Sequence, residues 1–170
     1  MNAKYGLLAR LFEYPDESYL QYCREEGLYD LANQLAALST AQIQELFIAT
    51  FDWNPATSLD MSWHLFGEEY ARGEFLVRMR GRLRRYGVPE STELPDHMTH
   101  VLAMLARMDD NSAEDFAREF AAPAVAKLQA ALEQKKTPFV ALARAVRDAL
   151  PVKAPIPELK VELPVLVGDD

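Results

Sequence analysis

Apolar residues recur every three or four positions along most of this chain, and prolines or glycines close the segments that carry them. Leu7, Leu8, Leu11 and Phe12 form one such stripe ahead of Pro15, and Met98, Val101, Leu102, Leu105 and Met108 form a cleaner one. Phe139, Leu142, Val146 and Leu150 form a third. That period lines up side chains on one face of a helix, whereas a half-buried strand alternates every second residue. No stretch of the body shows strand alternation, so the expected fold is all-α: a single-domain helical bundle over residues 1–150. With only seven glycines and 49% apolar residues, the chain can fill one core of ordinary size.

Local signals divide the pattern. A first helix is expected from Ala3 to Glu13, ended by Pro15. A second opens near Asp16 and stops at Gly27, and a third covers 28–38. Ser39 and Gln42, three apart, form a capping box ahead of "IQELFIATF". Asn54-Pro55 breaks the next segment. Thr57 or Ser58 then caps a short helix that runs to Phe66 and ends at Gly67. A longer helix spans Tyr70 to Tyr86, closed by Gly87 and Pro89. Pro95 suits a first helical position, which puts Asp96 in the first turn. Helices over 112–121 and 123–135 follow, and Thr137-Pro138 caps the last. Residues 151–170 hold four of the ten prolines and read as an extended tail, whose "KVELPVLV" is apolar enough to dock.

A formal charge of −8 repels phosphate backbones and anionic lipid and attracts basic ligands. Arg72, Arg78, Arg80, Arg82, Arg84 and Arg85 crowd one segment against that trend, and the plain account is a solvated helix face. A single cysteine, Cys23, allows no internal disulfide and fits a reducing compartment. The first residues carry charges within their apolar stretch and lack a cleavage site, so no signal peptide is expected. No run approaches the ~18 apolar residues of a membrane span. A cytoplasmic protein is expected.

Catalytic patterns are missing. There is no HExxH and no Glu-x-x-His pair, and no GxG or GK[ST] for a nucleotide. Ser58, His64 and Asp96 have no strand-turn-helix to make them a triad. Two stripes remain as candidate metal ligands: Asp60, His64 and Glu68 at four-residue spacing, and Asp96 with His100, beside His97. They support a competing reading as a metal-dependent helical hydrolase, although solvated helix faces show the same spacing. Arg72 shares a helical face with Phe75, Leu76, Met79 and Leu83, so it either snorkels or pairs with Asp52, Asp96 or Glu68, Asp96 being the first choice.

One stretch, "FDWNPATSLDMSWHLFGEEYARG" (51–73), packs two tryptophans, a histidine, four carboxylates and an arginine together. Together with "LLARLFEYPDE" before it and "ELPDHM" (93–98) after it, the ordered series resembles the NarJ-type chaperones of nitrate reductase assembly. These belong to the TorD/DmsD group of redox-enzyme maturation proteins. The resemblance implies an all-helical, cytoplasmic protein with no catalysis and no cofactor of its own. It would bind the N-terminal segment of the apo catalytic subunit of a molybdoenzyme, a twin-arginine signal or its remnant, and assist molybdenum cofactor insertion. The motif positions it implies for this chain are Asp52, Thr57, Ser58, Leu59, His64, Gly67, Glu68, Arg72, Gly73, Glu93, Leu94, Pro95, Asp96 and His97. Asp60 stands where such chaperones carry an apolar residue, which implies a more polar groove wall. An acidic helical domain suits a basic amphipathic peptide, with carboxylates for its arginines and Trp53, Trp63 and Phe66 for its apolar face.

Overall fold

The expected stripes are largely buried, but their helices are shorter than expected: the one expected from Ala3 to Glu13 ends at Arg10, with Leu11 and Phe12 buried in the turn beyond it. The computed structural model describes residues 2–152, so the tail expected beyond Val152 lies outside the described residues. In chain order the helices are α1 (Ala3–Arg10), α2 (Tyr19–Glu25), α3 (Tyr29–Leu35), α4 (Thr40–Phe51) and α5 (Met61–Phe66). They continue with α6 (Tyr70–Arg85), α7 (Met98–Leu105), α8 (Asp110–Phe116), α9 (Ala122–Lys135) and α10 (Val140–Ala149). Among the described residues the sole β pairing is an isolated antiparallel bridge between Asp60 and His97.

The caps explain most boundaries. Ser39 accepts from the Gln42 amide while the Gln42 side chain accepts from the Ser39 amide, so two end donors of α4 are satisfied reciprocally. Gly27, Gly67 and Gly87 end their segments at φ of 80°, 57° and 66°, backbone that a side chain disfavours.

The core has two aromatic centres. Phe139, fully buried just before α10, meets Phe47 at 5.5 Å, Phe51 at 5.6 Å and Tyr19 at 6.3 Å between ring centroids. That cluster ties α2 and α4 to the C-terminal helix. In the second, Phe75 meets Phe66 at 5.4 Å and Phe120 at 5.0 Å, which joins α5 and α6 to the α8–α9 segment. α1 packs on α7 and α10, and the Tyr5 hydroxyl donates to the Ala149 carbonyl at 2.9 Å.

Two expectations shift here. The helices expected over 112–121 and 123–135 run together through a π-helical turn at Ala117–Ala121. Pro123 has no N–H, so the ladder must lose a rung there, and the wide turn directly precedes it. The helix expected to start at Pro95 starts at Met98 instead, with His97 as its cap.

Candidate functional site

Four segments meet around a groove of about 620 Å³. The end of α1 and the turn after it supply Phe12, Glu13 and Tyr14, and the last turns of α4 supply Phe47, Phe51 and Asp52. Ser58, Leu59 and Asp60 form one wall, while Val88, Ser91, Glu93, His97 and His100 form the other. The floor is apolar, since Phe12, Phe47, Phe51, Leu59 and Val88 are all buried. Glu13, Asp52, Asp60 and Glu93 place four carboxylates around it.

Backbone pairing holds the two walls in register. Met98 donates its amide to the Leu59 carbonyl at 2.9 Å, and the Met61 amide donates to the Asp96 carbonyl at 3.1 Å. Asp96, with no exposed surface, turns its side chain towards α5: Oδ2 accepts from the Ser62 amide at 2.7 Å, and Oδ1 is buried without a hydrogen-bond partner. The carboxylate thus caps a six-residue helix from outside, at the end where helices leave their amides unpaired. His64 lies 2.7 Å from the Ser58 carbonyl through Nε2, which fixes the loop before α5. Thr57, fully buried, donates its hydroxyl to the Thr50 carbonyl and ties the same loop to α4.

The electrostatics of the groove follow from this packing. Burial, then the negative field of Asp96, raises the Asp60 carboxyl to about 6, against the opposing pull of Arg72. Partial burial and the neighbouring Glu93 also raise Asp52. Burial lowers His97, so its neutral form is favoured. Its Nδ1 accepts from the Thr99 amide at 3.3 Å, which leaves the proton on Nε2, 3.9 Å from Glu93.

The motif positions separate by role. Asp52, Ser58, Leu59, Glu93 and His97 line the groove. Thr57, His64, Arg72, Pro95 and Asp96 support its walls from behind, and Gly67 makes the turn between α5 and α6. Glu68, Gly73 and Leu94 face solvent. Trp53 is 75% exposed and outside the groove, Trp63 is half-buried beneath Arg72, and Phe66 packs on Phe75. Phe12, Glu13 and Tyr14 were signalled as part of "LFEYPDE". So was Phe51, the first residue of the 51–73 stretch, but Phe47 and Val88 were not, because an apolar residue at a groove floor follows the same period as one in the core.

Three readings are corrected. Arg72 pairs with Asp60, not with Asp96, Asp52 or Glu68: Nη2 lies 4.0 Å from Asp60 Oδ2, Nε donates to Ser62 Oγ at 3.1 Å, and the guanidinium sits over Trp63 at 5.3 Å. Asp96 is committed to α5 and lies before α7, not in its first turn. Nor is Thr57 or Ser58 the cap of α5, since that position belongs to Asp60.

The metal stripes do not assemble. Asp60 precedes α5 and Glu68 follows Gly67 beyond its end, so the three residues do not share a helix. His100 is occupied at both nitrogens, Nδ1 donating to the Leu94 carbonyl at 2.7 Å and Nε2 accepting from the Ser91 amide at 3.2 Å. Among the described residues, no three His, Cys, Asp or Glu side chains stand close enough to hold a metal ion. The hydrolase reading has no support.

Most of the groove, all but its Ala9–Tyr14 side, lies within the region that matches a known family. A model of the nitrate reductase delta subunit family matches residues 18–144. The chain belongs to that family. Among curated relatives, the nitrate reductase molybdenum cofactor assembly chaperones NarJ of Escherichia coli strain K12 and strain O157:H7 are each 28% identical over 153 residues. The match covers 80% of this chain and 64% of theirs, so the chain spans about two-thirds of their length or slightly less. A crystal structure from Archaeoglobus fulgidus, described as a redox enzyme maturation protein, superposes with a TM-score of 0.64 at 22% identity, covering 86% of this chain and 91% of that one. It shares the fold. This delta subunit family member thus has the all-helical architecture that its motifs implied.

Proposed function

We propose that this protein is an assembly chaperone that holds the N-terminal peptide of an apo molybdoenzyme catalytic subunit, nitrate reductase first among candidates, and assists molybdenum cofactor insertion. One observation carries the reading: a groove with an apolar floor, ringed by Glu13, Asp52, Asp60 and Glu93 and lined by five of the motif positions. A basic amphipathic helix laid there would bury its apolar face on Phe12, Phe47, Phe51 and Val88 and give its arginines to the carboxylates. Asp52, Ser58, Leu59, Glu93 and His97 then contact the peptide, while Thr57, His64, Arg72 and Asp96 hold the walls. The NarJ relatives carry the client in their description, and that supports nitrate reductase here.

Among the described residues no helix is long and apolar enough to cross a membrane. A cytoplasmic site of action, where apo subunits and cofactor meet, belongs to the same proposal, and so does the absence of catalysis. The test is calorimetric titration of the full chain with N-terminal peptides of ~15–30 residues from molybdoenzyme catalytic subunits of the same organism, nitrate reductase first. The expected result is one-site binding that weakens, without vanishing, as salt is raised from ~0.01 to ~1 M and the Debye length falls from ~30 to ~3 Å. Asp52→Asn and Glu93→Gln should flatten that salt dependence. No heat from any such peptide at ~100 μM protein excludes affinities stronger than about −5 kcal/mol and removes the reading.

A further inference from the structure

Helix α6 carries an outward face that its own packing does not explain. Phe75, Met79 and Leu83 are its buried residues, and Tyr70, Gly73, Val77 and Gly81 point the opposite way, following the 3.6-residue repeat. Tyr70 is 87% and Val77 72% exposed. Gly73 and Gly81 lie inside the helix, neither has a positive φ, and a Cβ on either would meet nothing within 4 Å. Nothing in the described chain needs glycine there, although glycine is the weakest helix former after proline.

Arginines border this strip. Arg80 is held by Glu90 at 2.7 Å, and Arg82 turns inward over Phe116 and Phe120. Arg78, Arg84 and Arg85 have no carboxylate partner among the described residues. Two of the three, Arg84 and Arg85, suit the negative end of the helix, but Arg78 lies a turn and more before it. Arg78 faces Arg82 and Arg80 faces Arg84 at four-residue spacing, which weakens an isolated helix. On a chain of net charge −8 this basic face is thus only partly accounted for by the helix that carries it.

We propose that this face of α6 docks an acidic amphipathic α-helix of another protein, its backbone seated close over Gly73, Val77 and Gly81 and its glutamates or aspartates reaching Arg78, Arg84 and Arg85. Glycines let two helix backbones approach, exposed Val77 and Tyr70 supply apolar contact, and the arginines supply complementary charge. A phosphate polymer or an anionic membrane would use the arginines but has no use for the glycine strip. A second copy meeting through the same face would set arginine against arginine. The proposal is independent of the acidic groove and of the peptide it holds.

The probe is a synthetic helical peptide of ~20 residues with an alanine-leucine seam flanked by glutamates, titrated into the isotope-labelled full chain. A control peptide of equal composition has its glutamates scattered round the helix. The expected result is binding of the seamed peptide alone, with amide shifts centred on Gly73, Val77 and Gly81. Gly81→Leu should weaken binding ~tenfold or more. Its melting temperature should stay level or rise, since leucine suits a helix better and meets no neighbour. Arg84→Glu with Arg78→Glu should abolish binding. Equal binding of the control peptide, of duplex DNA or of phosphatidylglycerol vesicles, insensitive to Gly81→Leu, overturns the proposal. So do shifts centred elsewhere, no binding, or self-association through Val77.

Discussion

A guanidinium on an apolar stripe must find a counter-charge or reach water, and Arg72 does some of each. Its side chain is 25% exposed and its partner Asp60 26%, with 4.0 Å between them. Arg72→Ala should therefore cost about 1 kcal/mol, the scale of a screened pair plus one hydrogen bond, well short of the ~3–5 kcal/mol of a buried pair. The shift in urea midpoint at constant m-value measures it. Arg72→Lys should recover little, because lysine cannot reproduce the Nε bond to Ser62 or stack on Trp63. Asp60 gives a prediction with a pH signature. Its folded pKa of about 6 exceeds the ordinary 3.8, so between those values the folded protein holds more protons and loses stability as pH rises. Asp60→Asn cannot ionise. Relative to wild type it should gain stability from pH 4 to pH 6.5 by about 1–2 kcal/mol, a range reduced for water screening at a partly exposed carboxyl. Thermal melts of both proteins across that window test it, and a flat difference would mean Asp60 titrates normally.

A helix as short as α5 does not hold itself, because nucleation outweighs so few internal bonds. Asp96 secures its start. Asp96→Ala strands the buried Ser62 amide and should cost ~2–3 kcal/mol. Asp96→Asn keeps one carbonyl oxygen for that amide and puts an amino group where Oδ1 has no partner, so it should cost only ~1 kcal/mol. Chemical denaturation of both variants measures the gap, and equal losses would show that charge matters more than the hydrogen bond. The other end of α5 turns at Gly67 (φ 57°, ψ −129°), where Gly67→Ala should cost ~1–3 kcal/mol in backbone strain. At this scale the sequence is informative in some places and silent in others. The Ser39–Gln42 box, the glycine stops and the apolar stripe from Phe139 to Leu150 are local rules acting over a few residues, and they hold. The start of α7 does not obey its local rule. Pro95 and Asp96 suit a first turn, but pairing of residues 59–61 with 96–98 draws that backbone out of the helix. No local pattern encodes that pairing, and it decides which carboxylate Arg72 meets and which amide Asp96 caps.

Across the whole molecule, charge is sorted to opposite purposes, with carboxylates around the groove and arginines along the outside of α6. The groove draws on residues from Ala9 to Arg107, and its floor rests on Phe139 near the far end of the chain. The antiparallel bridge that registers its walls joins segments roughly 40 residues apart, and such a loop closes only at an entropic cost that local helices escape. That makes assembly of the groove a late event in time. Helices can form as each segment emerges, but the two walls cannot meet until α6 has folded back and α7 exists. Stopped-flow measurements should then show Asp96→Asn speeding unfolding while the folding rate barely changes, the pattern of an interaction absent from the transition state. A slowed folding rate would place the bridge in the nucleus instead. Timing of this kind means that the helices exist before the groove does, so a peptide can be held only once both walls have met.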